Sequence, residues 1–382
     1  MSNDTQTETP IHSNGLADVV ACHSSICLVD GKAGQLLYRG YDVADLAKHS
    51  TFEEVAYLLW YGRLPGLTEF EAFLDGFTGF VQLPVETVMI LRMFPHAATP
   101  MEVLRTAVSS MGHWDPDSGN TRLDALLRKA QRITERIPLI ISSHQRLRNG
   151  HEPVEPRYNC GIAFNFLYTL TGEEPDPIMV KAMDTSLILH ADHELNASTF
   201  TARVTAATMT DIYSAMTSAI AALKGPLHGG ANAEVMKMLE EIGEAYKAEG
   251  WVKRQLADKK KVPGFGHRVY RCEDPRATVL RESARQITTL TGQTHYFEIA
   301  QEVEKAMLTH SKVFPNVDFF SAPLYNAMGI PTELFTPIFA ISRAVGWTAH
   351  ILEQWKNNRL IRPTANYIGP SLTSYMDIGA RS

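Results

Sequence analysis

Apolar residues recur along most of this chain at three- and four-residue intervals, and that spacing restricts it to packed helices. Ser50-Thr51-Phe52-Glu53-Glu54 offers a capping box ahead of Val55, Leu58 and Leu59. Pro175-Asp176-Pro177 suits a helix start, after which Met179, Ala182, Met183, Leu187 and His190 fall on one face. A further helix is expected after Gly230, with Val235, Met238, Leu239 and Ile242 inward. Ala197 to Leu223 is rich in Ala, Thr and Ser; such residues suit a central layer, a subunit interface or an ordinary buried helix pair. One region departs from the helical spacing. Ser24–Asp30 and Gln35–Arg39 flank Gly31-Lys32-Ala33-Gly34, as in a short hairpin. Strands and helices do not alternate, and there is no internal repeat. The expected fold is all-α with a short N-terminal β-hairpin.

A chain of 382 residues exceeds the usual single core, so two domains are expected. The formal net charge of −6 speaks against general nucleic-acid binding, so an anionic ligand needs a local basic patch. No run of about 18 apolar residues occurs, and no membrane span is expected. Met1 to Asn14 is polar and reads as a disordered tail rather than a signal peptide. The cysteines Cys22, Cys27, Cys160 and Cys272 lack C-x-x-C spacing and read as buried thiols of a reducing compartment, the cytoplasm.

Three motifs carry candidate chemistry. His228 lies in Gly225-Pro226-Leu227-His228-Gly229-Gly230, just before a helix. There the dipole disfavours a second positive charge, so a neutral imidazole could donate to a developing oxyanion; a capping or loop histidine is the plain alternative. His267 follows Pro263-Gly264-Phe265-Gly266. Around it, from Lys253 to Arg276, eight Lys or Arg face three acidic residues, a net +5. Close backbone approach and cations suit nucleotide phosphates, although a solvated basic loop has the same composition. Asp318 sits between Val317 and Phe319-Phe320, where desolvation would raise its basicity; a turn or N-cap aspartate reads equally well.

His190-Ala191-Asp192-His193-Glu194 differs from the H-E-x-x-H order of zinc enzymes, and no third ligand completes a site, so no metal is expected. A substrate-binding histidine fits better, beside a satisfied core histidine. Arg276, Arg343 and Arg362 occupy Asp274-Pro275-Arg276, Ile341-Ser342-Arg343-Ala344 and Ile361-Arg362-Pro363. Arginine is the natural bidentate partner of a carboxylate, or a member of a structural ion pair.

Together and in this order, these segments resemble the citrate synthase family from Tyr38-Arg39-Gly40 to Ile361-Arg362-Pro363, most strongly at His190–Ser198, Gly225–Gly230, Gly264–Arg276 and Asn316-Val317-Asp318. The resemblance implies a large helical domain (1–222 and 326–382) and a smaller one (223–325) enclosing a cleft. It implies acyl-CoA condensation with oxaloacetate and then thioester hydrolysis, with acetyl-CoA favoured over propionyl-CoA. By the same likeness Asp318 is the base, His228 binds the thioester oxygen, and His267 polarises the ketone. His193, Arg276, Arg343 and Arg362 hold oxaloacetate, Arg362 arriving from the partner of a homodimer or a dimer-based higher oligomer. Lys260, Lys261, Val262, Gly264, Phe265, Gly266 and Arg271 meet coenzyme A, a co-substrate; no cofactor is held tightly. No extra domain is recognisable before the hairpin, so the longer NADH-regulated form is not expected. The rivals are a 2-methylcitrate synthase with the same residues, a metal-dependent hydrolase built on His190, His193 and Glu194, and a non-catalytic helical scaffold.

Overall fold

The computed structural model describes residues 14–16, 19–77 and 82–381. Residues 1–13 of the expected tail lie outside them, and Asn14–Leu16 forms one 3-10 turn. The hairpin is β1 (Cys27–Asp30) against β2 (Gln35–Tyr38), in antiparallel register with Leu28 opposite Leu37. A third strand, β3 (Tyr41–Asp42), extends it to a three-stranded meander. Two residues are too few to show alternation, so β3 left no mark in the sequence.

Helices make up the rest. They are α1 (Val43–His49), α2 (Phe52–Tyr61), α3 (Leu67–Phe77), α4 (Val85–Met93), α5 (Pro100–Met111), α6 (Leu123–Arg148), α7 (Gly161–Thr171) and α8 (Pro177–His190). Then come α9 (Ala197–Ala206), α10 (Ile212–Leu223), α11 (Ala231–Ile242), α12 (Ala248–Ala257), α13 (Pro275–Thr291), α14 (His295–His310), α15 (Val317–Ala327) and α16 (Phe335–Lys356). No helix among the described residues is long and apolar enough to cross a membrane.

Local signals explain several boundaries. The Thr51 hydroxyl caps α2 by accepting the Glu54 N–H at 3.3 Å. Only half of the capping box forms, because the Glu54 carboxylate takes the Ser50 hydroxyl at 2.5 Å instead. Asp176 caps α8, accepting the Ile178 N–H at 2.7 Å with Pro177 in the first turn. The one-sided burial expected for α8 is corrected: every residue from Ala182 to His190 is buried. Neighbours on all sides cause this, since α8 packs against α1, α2, α7, α13 and α16. Small residues let α9 and α10 lie close together, as a buried pair. The buried-thiol expectation also needs correction. Cys22, Cys27 and Cys272 are only half-buried and Cys160 is exposed at the surface-facing N-cap of α7; all four cysteines are unpaired.

α16 threads the centre of the molecule. Its Gly346 N–H donates to the Ala191 carbonyl at 3.1 Å, where a Cβ would stand 2.3 Å from that oxygen and 2.4 Å from Asp192 Oδ1. Gly346→Ala is therefore expected to lower stability by about 2–3 kcal/mol through overpacking. Gly76→Ala in α3, where a Cβ meets nothing within 4 Å, should be neutral or slightly stabilising. Denaturant midpoints of the two variants and the parent protein check both.

Candidate active site

The loop between α10 and α11 is clamped before it presents His228. The His228 N–H donates to the Gly225 carbonyl at 2.9 Å, and the Thr336 hydroxyl donates to the Gly229 carbonyl at 2.8 Å. A Cβ on Gly229 would lie 2.3 Å from the Leu223 carbonyl, so only glycine allows this approach. The imidazole rests on the first turn of α9. Its Nε2 is 2.8 Å from Ser198 Oγ and 3.3 Å from the Ser198 amide nitrogen, whose hydrogen points at it. A ring nitrogen that receives an N–H is unprotonated, so the Ser198 amide favours the neutral form with its proton on Nδ1, which has no hydrogen-bond partner among the described residues. Burial, aided by the Arg343 charge, pushes His228 down to about 4 and keeps it neutral.

His267 and Asp318 are tied together by Asn316. The Asn316 amide N–H donates to Gly264 O at 2.8 Å and its side-chain Nδ2 to Gly266 O at 3.0 Å, while Gly266 N–H reaches Phe314 O at 3.0 Å. Asn316 also caps α15 by accepting the Asp318 N–H at 3.0 Å. Gly264 has φ +78°, and a Cβ there would meet Phe319 and Val235 at 2.8 Å. His267 Nδ1 accepts the Val269 and Tyr270 N–H groups at 3.0 and 3.1 Å, which leaves the hydrogen on Nε2. Burial, then the charge of Arg276, pushes His267 down to about 4, against the opposing pull of Asp274.

Asp318 is thus neither the cap nor a turn residue; it lies in the first turn of α15, between buried Val317 and Phe319. Its carboxylate has no protein hydrogen bond among the described residues, and its surface is not fully sealed. Burial drives its pKa up to about 6, assisted by Asp274 and opposed by Arg276 and Arg343. Desolvation wins over both cations and over the helix dipole, which favours the anion.

The cationic side of the site is buried. Arg276 pairs bidentately with Asp274, Nε to Oδ1 at 3.0 Å and a terminal nitrogen to Oδ2 at 2.8 Å. Burial works against its charge, yet Asp274 holds its pKa above the usual value. The structural ion pair foreseen as an alternative is therefore present, and Arg276 still charges the cavity. Arg343 donates through Nε to the His190 carbonyl at 2.7 Å and lies over the Phe339 ring at 4.6 Å; its terminal nitrogens make no hydrogen bond among the described residues. The His193 ring is 5.1 Å from that of His267, and its buried Nε2 has no partner among the described residues. Burial and the charge of Arg276 hold His193 well below its ordinary value.

Six of the candidate residues therefore converge: His193, His228, His267, Arg276, Asp318 and Arg343. Arg362 does not join them, standing exposed beyond α16. Lys260, Lys261 and Arg271 are also exposed on the loop that follows α12, Lys260 facing Asp258 at 3.1 Å. Val262 is buried and Phe265 packs edge-on to Phe319 at 4.5 Å, anchoring that loop. Phe339 enters without having been singled out, and His190, which the sequence offers only as a metal ligand or a core histidine, packs against it at 5.1 Å. Phe339 lies one helical turn before Arg343, a spacing that could have signalled it. His190 turns its Nδ1 to the Ser186 carbonyl at 2.8 Å, and its Nε2 is buried without a partner. Among the described residues, no three His, Cys, Asp or Glu are grouped to hold a metal. A base of raised pKa beside two neutral N–H donors can take a proton from carbon and stabilise the oxygen that becomes negative, next to cations suited to carboxylates.

The chain is similar to known proteins over most of its length. The model of the "Citrate synthase, C-terminal domain" family matches residues 15–364. Citrate synthase 2 of Bacillus subtilis is 49% identical over 371 residues, covering 97% of this chain and 99% of its own. The 2-methylcitrate synthase of Mycobacterium tuberculosis is 41% identical over 369 residues, covering 97% and 93%. A solved ternary complex of carboxymethyl coenzyme A and oxaloacetate with citrate synthase from Thermoplasma acidophilum superimposes with a TM-score of 0.90, at 33% identity and over 96% and 98% of the two chains.

The raised Asp318 pKa has a stability consequence. The folded carboxyl holds its proton more tightly than the unfolded one, so this contribution is fully present below about pH 4 and is lost as pH rises through about 6. The stability of the parent protein relative to Asp318→Asn should fall by about 1–3 kcal/mol across that window. Denaturation of both proteins from pH 4 to 7.5 measures the difference.

Proposed function

The chain belongs to the citrate synthase family, and from that premise we propose that it condenses acetyl-CoA with oxaloacetate through an enol and hydrolyses the resulting thioester to citrate and coenzyme A. The observation that carries this reading is the Asp318 carboxyl, held at about 6 beside two histidines kept neutral. A thioester methyl is a weak carbon acid, so a carboxylate can deprotonate it only if the oxygen is stabilised in the same step. Asp318 takes the methyl proton while His228 donates from Nδ1 to the thioester oxygen. His267 donates from Nε2 to the ketone oxygen of oxaloacetate as the enol carbon attacks. The carbon–carbon bond forms as the ketone becomes a hydroxyl, and water then cleaves the thioester. His193, Arg276 and Arg343 hold the carboxylates of oxaloacetate.

The segment Lys260–Gly266 and Arg271 receive the coenzyme A moiety, backbone approach serving the adenine and cations the phosphates. Coenzyme A enters as a co-substrate thioester. Residues 223–325 form the smaller domain and residues 1–222 with 326–382 the larger, the two closing over oxaloacetate before acetyl-CoA engages. Packing of α11, α13, α14 and α15 on one another supports that division. The working unit is a homodimer or a dimer-based assembly in which Arg362 completes the partner's site. The extended segment after α16 supports this, since it leaves Leu360, Tyr367, Ile368 and Leu372 exposed, a row of apolar groups that a second copy would cover. The unpaired thiols suit the cytoplasm.

The M. tuberculosis relative favours one second reading, 2-methylcitrate synthesis from propionyl-CoA. One methylene in an apolar pocket is worth only about 1–3 kcal/mol, so the two acyl groups are close competitors. Initial rates of free-thiol release with oxaloacetate should give the higher kcat/KM for acetyl-CoA. The reverse order assigns the second reading, and no turnover with either refutes both. Subunit hybrids test the placement of Arg362. Asp318→Asn and Arg362→Leu should each be nearly inactive alone, and co-refolding them should restore turnover, because each hybrid dimer regains one complete site. If Arg362 serves its own subunit's site, the mixture stays inactive.

A further inference from the structure

We propose that Trp347 is a positioning residue for His228, acting through the Ser198 hydroxyl to hold the imidazole in the form whose N–H faces the cleft. The proposal rests on the reading of His228 as the thioester donor. Trp347 lies in α16, fully buried, and its Nε1–H donates to Ser198 Oγ at 3.1 Å. That oxygen stands 2.8 Å from His228 Nε2 and 2.8 Å from Asn196 Oδ1. One hydroxyl proton therefore serves two acceptors.

Two arrangements compete. If the hydroxyl proton goes to Asn196, Nε2 must carry the ring proton and donate to Oγ. The oxygen then receives two N–H groups side by side, and the Nε2 hydrogen also confronts the Ser198 amide N–H, 3.3 Å away. In the alternative, Oγ–H leans toward an unprotonated Nε2, and the ring proton moves to Nδ1. The indole tips this balance. It occupies one Oγ lone pair, opposes a second incoming donor, and polarises the hydroxyl into a stronger donor. A buried tryptophan needs a partner for its N–H, and here that partner is the group that supports His228. Phenylalanine would fill most of the same space without supplying the proton.

A histidine with its proton on the wrong nitrogen cannot stabilise the oxyanion, so the loss should fall on kcat rather than on binding of oxaloacetate. Histidine-selective 15N NMR of the full-length protein, with the His228 signals identified by their absence in His228→Asn, reads the tautomer directly. The Nδ1–H form is expected in the parent protein; a dominant Nε2–H form overturns the proposal. In Trp347→Phe and in Ser198→Ala the Nε2–H form should gain population. Each should lose about 10- to 100-fold in kcat, less than the roughly 100- to 1,000-fold of removing an oxyanion donor outright because the imidazole remains, while the KM for oxaloacetate stays within about twofold. The double variant should be no worse than the poorer single one, because both changes interrupt one path. Wild-type kcat in a folded Trp347→Phe, or losses that multiply in the double variant, overturns the proposal. Should Trp347→Phe not fold, the Ser198→Ala spectrum decides, and an unchanged tautomer there is fatal. A parent protein without thiol-releasing turnover refutes the functional reading instead, and the tautomer spectra still decide the role of Trp347.

Discussion

The turn that ends α8 is where the molecule is joined. From His190 to His193 it is buried, and three residues from two distant parts of the chain hydrogen-bond to it. The Tyr38 hydroxyl of the hairpin meets Asp192 O at 2.9 Å, Gly346 of α16 reaches Ala191 O, and Arg343 reaches His190 O. Asp192 is fully buried and accepts from His350 Nε2 at 3.2 Å; His350 in turn meets Arg203, which pairs with Glu353 at 2.7 Å. Backbone polar groups in such a turn would be costly if orphaned. Their partners hold the turn in place, and the turn sets His193 against His267.

The site concentrates positive charge while keeping its histidines neutral. Arg276 and Arg343 are both buried, and Asp274 directly neutralises only the first. Each imidazole nearby is depressed by its own desolvation and then by an arginine. The same desolvation raises the Asp318 carboxyl against the pull of those arginines. Neutral imidazoles, a carboxyl of raised pKa and two buried cations thus share one physical setting, the exclusion of water from a crowded cavity. A site of this kind is maintained at the expense of stability, because the surrounding packing must hold groups that would be better solvated.

Much of this was legible where the determinants are local. Glycines flanking His228 and His267 marked backbone that must approach other groups closely, and Gly229 and Gly264 have no room for a Cβ. The apolar neighbours of Asp318 foretold its raised pKa, and Asp176 and Thr51 cap the helices their positions implied. Features made by distant chain were not legible. The enclosure of α8 on all sides depends on five other helices, and Phe339 belongs to the site only because α16 crosses α8. The bond from Trp347 to Ser198 spans 149 positions, and no spacing rule reaches that far. Arg362 stands outside the convergent set because nothing within one chain gathers it there.

α16 supplies Phe339, Arg343, Gly346, Trp347 and His350 to the centre of the molecule, yet it is the last helix longer than a single turn in chain order. On the ribosome, its binding partners α8 and α9 emerge well before it does. The apolar faces of α8 and α9 therefore stay uncovered until α16 arrives, and Ser198, which contacts His228, gains its bond from Trp347 only then. A chain that stops before α16 therefore lacks Arg343 and the Gly346 contact with Ala191, so the core and the cationic side of the cavity are completed together by the last long helix to be made.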